Sequence, residues 1–412
     1  MPKFEHFLKN YFFTEKTFFS ICLIFVFGLF FSRAILSISA VILFIFSITQ
    51  YFLNPTKIKI RAVYFLFPLL YLAYIISGFY TDDFSQWRVH LIKNSVFLII
   101  PIAFLFSKEI NTKALNQLAL WFIICCFVCL NVNTIEVLLN YDQFLIDVKD
   151  SKNIEAIIGP KHTELGLLIV ISFVLLFYLY CIEKIKRNRL IFLFLMFIIF
   201  FEIHLIAYRF SILNIYLLII IYCFKEFFIR KKFKYFLGIL VLIGVIILGI
   251  NTIPSVEKRL QNSIIDLKSI TENENPNYQS VGQRWAAVKC AFEVIKAHPI
   301  LGVSPADAKF EMQKQYEKNS YLLIPENRIF IHNQFIYLVL SFGIPFSLLF
   351  ILFLTLEIYK KIKTNALFIW LIIPFVFHMM LENTLERQIT INTFVFLFFM
   401  VNAIKQKPHQ LI

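Results

Sequence analysis

The chain is built from long runs of apolar residues that are separated by short polar breaks. A membrane-spanning helix needs roughly 20 mostly apolar residues to cross about 30 Å of hydrocarbon, and runs of this kind recur along the whole sequence. The pattern therefore predicts an all-α, polytopic membrane protein with about 12 transmembrane helices. The predicted spans lie near residues 17–31, 34–53, 60–79, 91–106, 114–139, 164–182, 190–207, 210–224, 235–253, 333–356, 366–381 and 389–404.

One polar stretch is much too long to be a simple connection between spans. Residues 254–331 carry mixed charge and precede the tenth span, so we expect a large helical loop there. Within it, an amphipathic pattern predicts a helix over 281–298, and Ser304 followed by Pro305 predicts the start of a second helix. Residues 271–279 lack apolar periodicity and are predicted to be mobile. The predicted domains are 1–253 with transmembrane helices 1–9, the 254–331 loop subdomain, and 332–412 with transmembrane helices 10–12 and a short cytoplasmic tail.

Composition and charge predict the orientation in the membrane. Hydrophobic residues make up 59% of the chain, the mean hydropathy is +0.75 and the formal net charge is +14. Lys and Arg are concentrated in the connections on one side of the predicted spans, which the positive-inside rule assigns to the cytoplasm. We therefore expect both termini in the cytoplasm and the 254–331 loop outside it. Because the cations are spread over many short connections, no nucleic-acid partner is predicted.

Ionisable side chains near the ends of spans gather on the loop side of the predicted topology. Such groups are costly in a bilayer and often mark function, although each one alone also fits an interfacial anchor. Arg209 stands between two long spans with hardly any connection to solvate it, so it needs an anion or a carbonyl group nearby. Arg284 lies just inside the predicted loop helix, whose N-terminus adds positive potential and favours a phosphate site. His332 lies where the loop re-enters the bilayer, and an imidazole there can accept a proton near neutral pH.

Five stretches of the sequence carry a family pattern in a fixed order. They are GPKHTELG at 159–166, IAYRFSIL at 206–213, SVGQRWAAVKCAFEVIKAHPILGVSPAD at 280–307, HNQFIYLVLSFGI at 332–344 and LENTLERQ at 381–388. In order and spacing they resemble the O-antigen ligase and polymerase superfamily of bacterial envelope enzymes, whose members share many spans and one large periplasmic loop before a late span. The chain departs from that pattern at residues 302–305, GVSP, because many members have a second glycine shortly after the first.

The resemblance implies a metal-independent glycosyltransferase without a cofactor, which sits in the bacterial inner (cytoplasmic) membrane with its active site facing the periplasm. Its donor would be a glycan on a polyprenyl diphosphate lipid of the undecaprenyl type, and its acceptor a hydroxyl group of a glycolipid such as lipid A-core. By resemblance, His332 is the general base, while Arg209 and Arg284 hold the diphosphate, and direct displacement inverts the anomeric centre. Substrate-binding roles are expected for Asn333, His298, His162 and Arg33.

Two other functions remain open at the level of sequence. An O-antigen polymerase would use the same donor chemistry but add the glycan to another lipid-linked glycan. A polysaccharide flippase or exporter also has many spans, but it predicts substrate-path charges near the bilayer midplane, whereas the unusual charges of this chain favour the ends of spans. The sequence contains no P-loop, no GxGxxG after a strand and no HExxH motif, so the energy for transfer must arrive in the donor.

Overall fold

The computed structural model describes residues 14–53, 55, 60–107, 109–149, 156–183, 185–206, 208–252, 257, 260–261, 264–265, 268, 276–362 and 364–404. Within these ranges the chain is helical, no β-strand occurs, and one isolated bridge pairs Ile110 with Ile404. The prediction of an all-α fold is therefore confirmed. The helices are α1 Glu15–Phe31, α2 Arg33–Leu53, α3 Leu66–Ile76, α4 Phe84–Asn94, α5 Val96–Phe106, α6 Thr112–Leu139, α7 Tyr141–Lys149, α8 His162–Ile182, α9 Lys186–Leu205, α10 Arg209–Phe224, α11 Lys234–Thr252, α12 Ser280–Ala297, α13 Ala308–Lys318, α14 Gln334–Ile362, α15 Ala366–Leu381 and α16 Gln388–Asn402.

Seven helical segments in the described part of the chain are long and apolar enough to cross a membrane. They are Arg33–Leu53, Phe84–Phe106, Thr112–Leu139, Thr163–Ile182, Arg187–Leu205, Phe210–Ile229 and Gln334–Ile362. Each overlaps a predicted span. Shorter apolar helices overlap four further predictions, at Val63–Phe79, Lys234–Gly244, Ala366–Leu381 and Gln388–Asn402. The total of about 12 spans stays a prediction.

By their internal contacts the helices fall into two compact units. The first unit contains residues 1–118, 266–369 and 378–411, and the second contains residues 119–265 and 370–377. In the first unit α1 pairs with α2, while α2, α3 and α16 pack on α5. Phe67 on α3 lies with its ring centroid 5.2 to 5.8 Å from those of Phe97, Phe394 and Phe398. Aromatic packing of this kind fills the interior between α3, α5 and α16.

The second unit is a set of apolar helices joined by a few buried polar contacts. In it α8 packs on α9 and α10, and α10 packs on α11. The Ser211 hydroxyl of α10 donates a hydrogen bond of 3.0 Å to the Gly166 carbonyl of α8. The Asn214 amide donates one of 3.2 Å to the Pro374 carbonyl, which ties the middle of α15 to α10. Polar side chains thus connect helices whose sequences are mainly apolar.

Residues 276–331 form a helical subdomain that shares a core with the first turns of α14, and we call this core the loop core. In it α12 packs on both α13 and the first turns of α14. Its members include Ala287, Cys290, Ala291, Ala308, Met312, Tyr316, Tyr337 and Leu340. The predicted helix over 281–298 corresponds to α12, Ser280–Ala297. Residues 271–275 of the segment that was predicted to be mobile lie outside the described residues.

The turn that follows α12 is held against a bend in α14. Gly343 lies inside α14 with φ 76° and ψ 170°, a conformation that is essentially restricted to glycine. The Val303 amide donates to the Leu340 carbonyl at 2.9 Å, and the Ile344 amide donates to the Pro299 carbonyl at 2.9 Å. A Cβ atom on Gly343 would lie 2.0 Å from the Ile300 carbonyl oxygen. The bend in α14 and the turn after α12 therefore require each other.

We expect Gly343→Ala to destabilise the protein by about 1–3 kcal/mol or more, because alanine is strained at this φ and ψ and its Cβ meets backbone. Thermal unfolding in detergent measures the effect. Gly244→Ala is the matched control: Gly244 lies within α11, and a Cβ atom there would meet nothing within 4 Å. That variant should unfold at the wild-type temperature or above it, since alanine favours helix. An unchanged unfolding temperature for Gly343→Ala would contradict the prediction.

The predicted start of the second loop helix at Ser304 and Pro305 is wrong, because α13 begins at Ala308. Ser304 has φ +70°, in the left-handed region, and its amide donates to the Ser341 carbonyl at 3.1 Å. This contact with α14 replaces the helical cap. The Asp307 carboxylate instead accepts hydrogen bonds from the Thr81 hydroxyl at 2.8 Å and from the amides of residues 82 and 83 at 3.1 Å. Asp307 thereby fastens the loop subdomain to the turn that precedes α4.

Candidate functional site

Two arginines and a histidine converge on one buried carboxylate in the first unit. Glu382 follows the last residue of α15, and its side chain is 3% exposed. Its Oε2 atom accepts from His332 Nδ1 at 3.0 Å and from an Arg387 terminal nitrogen at 2.8 Å. Its Oε1 atom accepts from an Arg284 terminal nitrogen at 3.1 Å. The loop helix α12, the entry to α14 and the turn after α15 thus meet at Glu382.

The charge on Glu382 is stabilised by its neighbours. Burial alone raises the pKa of this carboxyl, but the hydrogen bond and charge of His332 and the charges of Arg387 and Arg284 lower the pKa to about 2. The carboxylate is therefore ionised at neutral pH. When the imidazole is neutral, its hydrogen bond from Nδ1 to this carboxylate leaves the lone pair on Nε2. The His332 side chain is 30% exposed, so it is not fully enclosed by the protein.

Backbone and amide contacts fix the position of His332. The next residue, Asn333, caps α14, since its Oδ1 atom accepts from the amides of Phe335 and Ile336 at 3.0 Å. The Asn333 amide group also donates to the Met380 carbonyl at 2.9 Å. On the other side of His332, the Ile331 carbonyl accepts from the Asn383 amide group at 2.7 Å. The entry to α14 is therefore bonded to the residues on both sides of Glu382.

A second buried carboxylate, Glu386, lies in the same turn after α15 and also binds neighbouring helices. Glu386 accepts hydrogen bonds from Lys93 Nζ at 2.5 Å and from the Tyr74 hydroxyl, and it lies 3.4 Å from His90 Nδ1. Its burial raises the pKa, but Lys93 and His90 lower it to about 2. We call residues 382–388 the acidic turn. It is fixed to α12 and α14 through Glu382 and to α3 and α4 through Glu386.

We expect these carboxylates to make stability depend on acid pH. Their folded pKa values of about 2 lie below the ordinary value of 4.5, so each contributes stability of the order of 3 kcal/mol above about pH 4.5. That contribution is lost as the pH falls from about 4.5 through about 2. The unfolding temperature in detergent should therefore drop over this range, and Glu386→Gln should flatten the drop. Glu293 lies on the exposed face of α12, so Glu293→Gln should show the same dependence of unfolding temperature on pH as the wild type. An equal flattening in both variants would contradict the assignment of the acid effect to the buried carboxylates.

The predicted site residues fall into three groups. Arg284 and His332 meet at Glu382, as described above. Asn333 serves as a helix cap beside them, His298 is exposed at the end of α12, and the Arg33 carbonyl accepts a 3.5 Å hydrogen bond from Gln388 of the acidic turn. Their roles with substrate stay predictions. Arg209 begins α10 and His162 begins α8, both in the second unit, and their side chains lie outside the described residues, so their roles also stay predictions.

Sequence reasoning assigned no role to Glu382, Glu386 or Arg387, although it singled out the LENTLERQ stretch that contains them. The stretch did indicate that these residues need partners, because two acidic residues and an arginine at the end of an apolar run are costly unless they are paired. The sequence did not indicate which residue pairs with Glu382. His332 and Glu382 are 50 residues apart, and only the fold shows that they share a hydrogen bond.

The apolar helices are those of a multi-pass helical membrane protein, and its candidate site is built around the buried carboxylate of Glu382. Residues 194–351 match the family model described as O-Antigen ligase, which confirms the predicted resemblance. The matched region includes Arg209, Arg284 and His332, whereas the acidic turn follows it. A search of curated proteins found no match to this chain.

Proposed function

We propose that the chain is an O-antigen ligase of the bacterial inner membrane. It would move a glycan from an undecaprenyl diphosphate donor to a hydroxyl group of a lipid A-core or related acceptor on the periplasmic face. The observation that carries the proposal is the hydrogen bond between His332 Nδ1 and the buried, ionised Glu382, with Arg284 on the same carboxylate. This arrangement joins a base to cations, which is what transfer from a lipid diphosphate requires.

The proton follows a short path in the proposed reaction. The acceptor hydroxyl attacks the anomeric carbon while its proton passes to Nε2 of His332. Glu382 stabilises the imidazolium that forms, because its carboxylate already accepts a hydrogen bond from Nδ1. As the new glycosidic bond forms, the bond between the anomeric carbon and the phosphate oxygen breaks on the opposite face. The product therefore has an inverted anomeric centre.

The leaving diphosphate needs cations, and we assign them to Arg284 and Arg209. Arg284 donates a hydrogen bond to Glu382 from one terminal nitrogen, and its side chain is 39% exposed. Its other N–H groups are therefore available to the phosphate oxygens. Its position in the first turns of α12 adds the positive end of the helix dipole. Arg209, the first residue of α10, is assigned by resemblance. Neither role requires a metal ion.

A reconstitution assay tests this proposal against its closest alternative, an O-antigen polymerase. The purified protein is mixed with undecaprenyl diphosphate-linked glycan, with and without lipid A-core. A ligase forms capped glycolipid only when lipid A-core is present. A polymerase instead lengthens the donor glycan without that acceptor, and this outcome would replace the proposal. Activity in detergent, where no second compartment exists, excludes a flippase as the source of the signal.

Arg284→Lys is expected to lower kcat/KM for transfer by about 10- to 100-fold, since lysine keeps the charge but lacks the planar fork that binds Glu382 and a phosphate together. Initial rates over a range of donor concentrations measure the effect. Arg88→Lys is the matched control, because Arg88 lies exposed on α4, and it should retain the wild-type rate. Equal rates for Arg284→Lys and the wild type would remove Arg284 from the diphosphate site.

A further inference from the structure

The bend at Gly343 divides α14 into two parts with different surroundings. Residues 344–362 after the bend measure about 28 Å as a helix, which matches the roughly 30 Å of a bilayer's hydrocarbon region. Before the bend, Tyr337 and Leu340 are buried in the loop core against α12 and α13. The first turns of α14 therefore belong to the loop subdomain. The part of α14 after Gly343 is long enough to cross the hydrocarbon region without them.

The part of α14 after the bend carries a stripe of exposed apolar side chains. Ile344, Leu348, Leu352 and Leu356 follow one another at intervals of four residues and are 40 to 60% exposed. Positions with this spacing share one face of a helix. In a helix that crosses a bilayer, an exposed apolar face contacts lipid chains. The stripe begins at Ile344, directly after the bend.

The turn after α12 places two further apolar side chains beside the start of this stripe. Ile300 is 70% exposed and Leu301 is 58% exposed. Both follow Pro299, whose carbonyl accepts the hydrogen bond from the Ile344 amide, and the Ile300 carbonyl lies against Gly343. The turn is therefore fixed at the same level as Ile344. Two large apolar residues in a rigid, exposed turn lose little conformational entropy when they enter an apolar phase.

We propose that the Ile300–Leu301 turn is a membrane anchor that inserts into the acyl-chain boundary of the leaflet on the loop side of the bilayer. The occupant is phospholipid, because the turn is continuous with the face of α14 that contacts lipid. Insertion buries both side chains and keeps α12 at the depth of the headgroups. The inference needs only that α14 crosses a membrane, and it does not depend on glycan transfer.

Photolabelling of the wild-type chain tests the anchor without a variant that could misfold. The full-length protein is reconstituted into vesicles of phosphatidylethanolamine and phosphatidylglycerol that contain a phospholipid with a diazirine on its acyl chain. A parallel sample receives a water-soluble diazirine, and mass spectrometry locates the labelled residues in both. Leu348 is the positive control for lipid. Phe310 and Leu322 are the negative controls, since they are 60% and 64% exposed elsewhere on the loop subdomain.

The anchor predicts that the acyl-chain probe labels Ile300 and Leu301 at a level comparable to Leu348 and several-fold above Phe310 and Leu322. The water-soluble probe should then label Phe310 and Leu322 but spare the turn. Labelling of Ile300 and Leu301 by the water-soluble probe at the level of Phe310 would overturn the proposal. Labelling of the turn by neither probe would overturn it too, because it would mean that protein covers these residues.

Discussion

Replacement of His332 with alanine is expected to lower the rate of glycan transfer by about 10²- to 10⁴-fold, the usual contribution of a positioned general base. The proposed mechanism gives Nε2 of His332 the proton of the acceptor hydroxyl, and alanine has no group to take it. The measurement is the initial rate of glycolipid formation by purified, reconstituted protein. A monodisperse elution profile and a thermal unfolding curve show whether the variant keeps its fold.

A second substitution separates the base from the hydrogen bond. His332→Gln keeps a side-chain amide that can donate to Glu382, but it provides no basic nitrogen. We expect it to keep more stability than His332→Ala and to lose as much activity. If either purified variant transferred glycan at nearly the wild-type rate, His332 would not be the base, and the assignment of this site would have to be abandoned.

Replacement of Glu382 with glutamine is expected to lower kcat/KM by about 30- to 1,000-fold, which corresponds to about 2–4 kcal/mol. Glutamine cannot balance the charges of Arg284 and Arg387, and it cannot stabilise the imidazolium that forms when His332 takes the proton. The fall should appear mainly in kcat, with a changed dependence of kcat on pH, because Glu382 acts through His332 and does not itself touch the reacting atoms. A loss confined to KM would instead indicate a structural role.

Two further variants complete this test. Glu382→Asp keeps the charge on a side chain one methylene shorter, so it should recover part of the activity and the wild-type shape of the pH profile. Glu293→Gln removes a carboxylate from the exposed face of α12, where Glu293 pairs with Lys296 at 2.7 Å, and should behave as wild type. The aspartate variant distinguishes loss of charge from loss of volume.

Hydrophobic patterning predicted most of the helices, because the spans are set by the length and apolarity of local segments. The predicted spans over 34–53, 114–139 and 164–182 agree closely with α2, α6 and α8. The loop helix over 281–298 was also predicted to within one residue of α12, since its apolar face repeats with helical period. Local patterns of this kind need no knowledge of the tertiary fold.

Features that depend on contacts between distant residues were not predicted. The bend inside α14 follows from the fit of Gly343 against the Ile300 carbonyl, and the glycine alone gave no sign of that partner. Ser304 has the composition of a helix cap, but its hydrogen bond to the Ser341 carbonyl imposes a left-handed backbone. In the candidate site, the sequence indicated His332 and Arg284 as separate features. Their common partner, Glu382, became evident only from the tertiary structure.

The three hydrogen bonds of Asp307 have a consequence for chimeric enzymes. A graft that moved only the loop into another protein would separate Asp307 from the Thr81 hydroxyl and from the amides of residues 82 and 83 that its carboxylate contacts. The donated segment would also lack the tyrosine and leucine of α14 that complete its core. Transplantation of the loop subdomain therefore needs two segments, one around residues 81–83 and one from 276 to 343.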